Sequence, residues 1–79
     1  MARVLLFGPL RDLAGWRVRD IDVESLAALK AQLAAEDPTL GEALLAPGVQ
    51  CAVDQVLVRG DVALSPVTEV GFLPPMSGG

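Results

Sequence analysis

Ser25-Leu26-Ala27-Ala28-Leu29-Lys30-Ala31-Gln32-Leu33-Ala34-Ala35-Glu36-Asp37-Pro38 decides how the rest of the chain is read. Ser25 can accept a hydrogen bond from a free backbone N–H of a first helical turn, so it reads as an N-cap. Leu26, Leu29 and Leu33 then share one face, while Lys30, Gln32 and Glu36 look outward. Pro38 stops the helix, because the residue before a proline is driven out of helical geometry. One main helix, Ser25 to about Glu36, is predicted, with a leucine stripe to bury.

Upstream, Arg3 to Phe7 is short and almost wholly apolar, a strand ended by Gly8-Pro9. Leu10 to Gly15 reads as a connection, with Gly15 as its turn point. Trp16 to Val23 reads as a second strand paired with the first as a hairpin. Trp16 and Val18 share one parity and Ile21 and Val23 the other, so a bulge near Arg19-Asp20 is expected.

Downstream, Thr39 to Leu45 suits a short second helical turn, and Ala46-Pro47-Gly48 a loop. Val49 to Val53 is a third strand, with Val49, Cys51 and Val53 on one side. Asp54-Gln55 is a turn, Val56 to Arg59 a short strand, and Ser65-Pro66 another turn. Val67 to Leu73 is the last strand, with Val70 and Phe72 inward. Pro74 and Pro75 cannot donate to a ladder and end the sheet. Strand, strand, helix, strand, strand, strand implies an α+β fold: a β-grasp, with a mixed sheet of four to five strands packed on one main helix. Residues 1–73 form this domain and residues 74–79 an extended tail.

Composition bounds the function. A chain of 79 residues is one small domain with a thin core margin, and 52% apolar residues exclude a disordered chain. Ten acids against six bases give a net charge of −4, with no basic run, so nucleic-acid binding is not expected. A partner with a basic docking surface suits that charge. One cysteine, Cys51, allows no internal disulfide. No apolar run nears the roughly 20 residues of a membrane span. Met1-Ala2-Arg3 leads directly into Val4-Leu5-Leu6-Phe7, too short for a signal peptide, so a cytoplasmic protein is expected.

A sheet covered by a helix on one side should be polar on the other. If Val4 and Leu6 face the helix, Leu5 and Phe7 point away. If Val56 and Val58 face in, Leu57 is outside, and with Val70 and Phe72 inward, Leu73 is outside. On neighbouring strands Leu5, Phe7, Leu57 and Leu73 make one exposed apolar patch, expected to dock a protein partner. Cover by loops, or a register one residue different, is the plainer account.

The patch would lie at the root of the tail Pro74-Pro75-Met76-Ser77-Gly78-Gly79. The two prolines stiffen the exit in an extended form. Gly78 and Gly79 remove every side chain before the free carboxylate, so the end can pass through a channel too narrow for a Cβ. Six residues reach about 20 Å at roughly 3.3 Å each. Two terminal glycines occur by chance in about 0.5% of chains, with Gly near 7% of residues. The pair gains meaning from the strand and prolines before it.

Phe72-Leu73-Pro74-Pro75-Met76-Ser77-Gly78-Gly79 resembles the terminal signature of the molybdopterin synthase small subunits, the MoaD-type ubiquitin-like sulfur carriers. Val4-Leu5-Leu6-Phe7 with Leu10-Arg11-Asp12-Leu13-Ala14-Gly15 is similar to that family's first strand and loop. Ala52-Val53-Asp54-Gln55, Leu57-Val58 and Glu69-Val70 extend the likeness along the whole chain. Asp54 stands where the family often has Asn, and Pro66-Val67-Thr68 replaces its usual Asp-Gly-Asp, which alters a turn and removes local acidity.

The resemblance implies a ubiquitin-like β-grasp and a sulfur relay. An activating partner would adenylate the Gly79 carboxylate with ATP, and sulfur would replace one oxygen to give a thiocarboxylate. The tail, Pro74 to Gly79, would then thread into the molybdopterin synthase large subunit, in a heterotetramer of two small and two large subunits. There it would donate sulfur to cyclic pyranopterin monophosphate. The chain itself would hold no cofactor or metal and would not be an enzyme. It has no His and no Tyr, so neither a Ser-His-Asp constellation nor a zinc ligand set can be drawn from it.

Other residues have plain accounts. Cys51 reads as a small buried hydrophobe, Lys30 as solvated, and Trp16 as a hairpin core residue. Asp20, Asp22 and Glu24 read as a wet strand edge, lacking the rest of a calcium loop. Other destinations also fit: sulfur for thiamine, cysteine or a tungsten cofactor, a modifier joined to lysines through Gly79, or an interaction module with an inert tail.

Overall fold

A computed structural model describes residues 1–75. Along the chain come β1 (Ala2–Leu6), α1 (Pro9–Ala14), β2 (Val18–Ile21), α2 (Leu26–Glu36), α3 (Pro38–Leu44), β3 (Gln50–Val53), β4 (Val56–Val58) and β5 (Glu69–Leu73). The strands form one sheet in the order β2-β1-β5-β3-β4. β1 and β5 run parallel at its centre, and every other neighbouring pair is antiparallel. The mixed sheet packed on a main helix is the α+β arrangement that the order of elements predicted.

One face of the sheet carries Val4, Leu6, Val70 and Phe72, all buried with Leu26, Leu29 and Leu33 of α2. Removing a leucine side chain from water contributes about 2 kcal/mol, so the leucine stripe is what fastens α2 to the sheet. The start of α2 leaves few N–H groups unmet. Leu26 donates to the Val62 carbonyl at 2.9 Å, Ala27 to Asp61 Oδ1 at 2.8 Å and Ala28 to Ser25 Oγ at 3.1 Å. Asp37 ends α2, its N–H bonding the Leu33 carbonyl, and its side chain caps α3 by accepting from Leu40 N at 3.2 Å. Pro38 therefore both stops one helix and occupies the first turn of the next, so α3 begins one residue before the predicted Thr39.

The first connection, β2 and β4 depart from expectation. Leu10–Gly15 is no simple connection. Pro9 supplies a helical φ where no N–H is needed, and Gly15, at φ 82°, closes α1 with its N–H on the Arg11 carbonyl. β2 is shorter than predicted and carries no bulge. Its register runs evenly from Ala2 opposite Ile21 to Leu5 opposite Val18, which puts Val18 on the outer face. Arg19 instead takes the helix side, its guanidinium 5.0 Å from the Trp16 ring centroid and hydrogen-bonded to Glu36 Oε1 at 2.8 Å. In β4, Val56 shares the inward parity but lies 63% exposed, because β4 is the sheet edge beyond the cover of α2.

Two turns hold the sheet ends. Asp54 and Gln55 both adopt positive φ, 51° and 70°, as the tight β3–β4 hairpin requires. Asp54 also accepts from Glu69 N at 2.9 Å, a bond that Asn would make equally well. In the Ser65–Thr68 turn, Thr68 N–H donates to the Ser65 carbonyl and buried Thr68 Oγ1 accepts from Ser65 N at 2.8 Å. The departure at Pro66-Val67-Thr68 thus makes a closed turn of its own. β5 begins after it, at Glu69 rather than Val67.

Candidate functional site

The outer sheet face is divided. At one end Asp20, Arg3 and Glu69 stand in cross-strand register, with Arg3 and Asp20 3.7 Å apart. One row further along, toward the end of β5, the register runs Val18, Leu5, Gly71, Ala52, Leu57. This row is apolar throughout. Leu57 is 59% and Phe7 44% exposed, and Leu5 and Leu73 are half-buried.

Gly71, buried at the centre of the row, leaves room for the ring of Phe7. A Cβ built there would sit 3.2 Å from Phe7 Cε2, so the Phe7 ring lies over the glycine. Phe7 N–H donates to the Phe72 carbonyl at 3.3 Å, which holds Phe7 beside the end of β5. Leu73, on that strand end, is in register with Gln50. Val18, exposed and opposite Leu5, belongs to the same surface; the expected bulge had hidden it.

β5 leads into Pro74 and Pro75, which sit between two turns. A Cβ on Gly8 would approach Pro74 Cγ to 3.2 Å, and one on Gly48 would approach Pro75 Cβ to 3.0 Å. Both glycines have positive φ, 57° and 88°, so each turn favours glycine on backbone grounds as well. The proline steps are thus seated between the start of α1 and the loop after α3. Met76, Ser77, Gly78 and Gly79, which carry the expected chemistry, lie outside the described residues.

Two clefts border this seat. One is lined by Leu5, Phe7 and Gly8 with Arg11 and Arg17, and the other by Gly48, Cys51 and Leu57 with Lys30 and Arg59. Lys30 is therefore half-buried along a cleft rather than simply solvated. Burial pushes the Cys51 thiol up, and the Lys30 ammonium only partly offsets this, so the sulfur is held as a neutral thiol. No cluster of three His, Cys, Asp or Glu side chains suited to a metal occurs among the described residues, and no helix among them is long and apolar enough to cross a membrane.

The sheet order, its covering helix and the apolar row beside the end of the central strand define a ubiquitin-like β-grasp domain. The chain belongs to the ThiS family of ubiquitin-like sulfur carriers, whose sequence profile matches residues 4–79. It is 35% identical over 81 residues to the molybdopterin synthase sulfur carrier subunit of Escherichia coli, an alignment covering all of both chains. Among solved structures it resembles small archaeal modifier protein 1 of Methanosarcina acetivorans, with a TM-score of 0.87 and 23% identity over 99% of this chain and 95% of that one. The protein of the same name from Haloferax volcanii gives a TM-score of 0.85 and 22% identity over 99% and 98%. At those identities the two structures speak for the fold alone.

Proposed function

We propose that this chain is the sulfur-donating small subunit of a molybdopterin synthase, with Gly79 as the group acted upon. The full-length identity to the Escherichia coli sulfur carrier subunit carries this reading. An apolar row next to the proline seat, exposed at Val18 and Leu57 and bordered by exposed Phe7, supports it, because a tail must be delivered by a docked domain. Leu5, Phe7, Leu57 and Leu73 dock the partner, and Pro74 to Gly78 thread the tail.

A carboxylate is a poor electrophile until it carries a good leaving group. An adenylating partner joins the Gly79 carboxylate to the α-phosphate of ATP and releases pyrophosphate. A sulfur nucleophile at the sulfide level then displaces AMP, which leaves with one of the original carboxylate oxygens. The product thiocarboxylate is a soft anion able to attack a side-chain carbon of cyclic pyranopterin monophosphate within the large subunit, the new C–S bond replacing a C–O bond of the pterin. Hydrolysis of the acyl–sulfur bond returns the carboxylate. The domain docks and presents the nucleophile, while its partners supply ATP binding and catalytic side chains.

Intact-mass analysis after incubation with the host's adenylating enzyme, ATP and a sulfur source tests the proposal. The mass should rise by the difference between sulfur and oxygen, with the change on Gly79, and adding the large subunit and the pterin should reverse it. A thiocarboxylate that forms but never passes to the pterin would instead favour another sulfur pathway. Absence of the thiocarboxylate would overturn the carrier reading.

A further inference from the structure

Five of the six basic side chains of this acidic protein line the two clefts that share Gly8 and Gly48 with the seat of the prolines, and of these only Arg3 stands between acids, opposite Asp20 and Glu69. Arg11 and Arg17 share a cleft with Gly8, which meets Pro74. Lys30 and Arg59 share a second cleft with Gly48, which meets Pro75. Arg17 stands opposite Leu6, its carbonyl accepting the Leu6 N–H at 2.9 Å, and Arg59 follows the last residue of β4. Both are therefore at the end of the sheet where β5 finishes. The acids of the sheet collect at the other end. Asp20 and Glu69 flank Arg3, Asp54 bonds the Glu69 N–H, and Asp22 follows β2.

The cleft holding Lys30 and Arg59 is lined by no acid, and in the other Glu69 lies beyond Leu5, in register with Arg3. Arg11 has an exposed ion pair with neighbouring Asp12 at 3.7 Å, a weak contact. Arg17, Lys30 and Arg59 make no ion pair among the described residues.

We infer that Arg11, Arg17, Lys30 and Arg59 form a collar around the tail root and dock on a carboxylate-bearing rim that surrounds the tail-receiving channel of a protein partner. The inference rests on the reading that a partner receives the tail. Charge complementarity selects the occupant: the overall charge of −4 favours a basic partner, but the surface around the exit has the opposite sign. The two cation pairs lie on either side of the prolines, so one small anion in one cleft would leave the other pair unused. A rim around a channel meets both at once. With acids at one end of the sheet and bases at the other, the molecule also has a preferred approach, tail end first.

The sign of the salt dependence tests the collar. For association of the full chain with its host's adenylating enzyme, salt raised from about 50 to 300 mM should lower the on-rate about tenfold, as attraction between exposed charges is screened. Repulsion governed by the net charge would instead make the on-rate rise. Double charge reversal, Arg17→Glu with Arg59→Glu, should lower the low-salt on-rate about tenfold and flatten its salt slope, with a smaller change in off-rate. Both side chains are exposed, and an unchanged melting curve confirms folding; Arg17→Gln with Arg59→Gln should give an intermediate rate. An on-rate that rises with salt, or ignores the reversal, overturns the collar, as does failure to associate. Inorganic phosphate that slows association beyond its ionic-strength effect makes the clefts small-anion sites and also overturns it. Salt-dependent docking without any thiocarboxylate on Gly79 would keep the collar and overturn the sulfur-donor reading.

Discussion

Gly41 has no room for even a methyl group. A Cβ there would lie 2.4 Å from Ala34 Cβ and 2.6 Å from Ala34 Cα, so α3 crosses α2 at backbone contact. Gly41→Ala should destabilise the fold by about 3 kcal/mol in chemical denaturation, the upper range for over-packing, because a backbone atom is in the way. Adding Ala34→Gly should restore little, since the Cα remains. Substantial rescue by that second change would show that the helices can part. A lone glycine within Pro38–Leu44 does not announce such contact, because close approach depends on a partner 7 residues back and on the crossing geometry. Ser25, Leu26, Leu29 and Leu33 were legible because cap chemistry and helical period are local. The pairs Gly8 with Pro74 and Gly48 with Pro75 were not, since each joins distant stretches of chain.

The β3–β4 hairpin turns through two non-glycine residues in the left-handed region. Asp tolerates that region better than Gln does, so Gln55 at φ 70° carries most of the strain. Gln55→Gly should stabilise the protein by about 1 kcal/mol, raising Tm by roughly 4–8 °C for a domain of this size. A lower Tm would mean that the Gln55 side chain makes up for its backbone. The location of this turn could be read from residue types, but not its handedness. α1 is hard to read for a different reason: it is six residues long, so Leu10, Leu13 and Ala14 trace less than two turns of helical spacing, although Pro9 and Gly15 stand at its two ends. The even register of β2 was hidden by Val18, whose apolar side chain belongs to the outer face. Reading it as core demanded a bulge.

At the scale of the molecule, hydrophobicity alone could not tell a core face from an exposed apolar face. Leu5, Phe7, Leu57 and Leu73 were assigned by alternation, and the register puts Leu5 and Leu57 in one cross-strand row. The charges around the exit were not legible, because Arg11, Arg17, Lys30 and Arg59 come from four separate segments. Leu57→Asp should leave stability within about 0.5 kcal/mol, since the side chain is exposed, yet weaken partner binding by about 2 kcal/mol, roughly thirtyfold in Kd. Wild-type affinity in a calorimetric titration would remove Leu57 from the interface. The position of β5 has a mechanical consequence. The strand that leads into the tail is the middle strand, bonded to β1 on one side and β3 on the other. A pull along its direction meets both ladders in shear, so their bonds share the force instead of peeling apart one by one. On the proposed function, the domain would therefore stay folded while a partner draws the tail out of its channel.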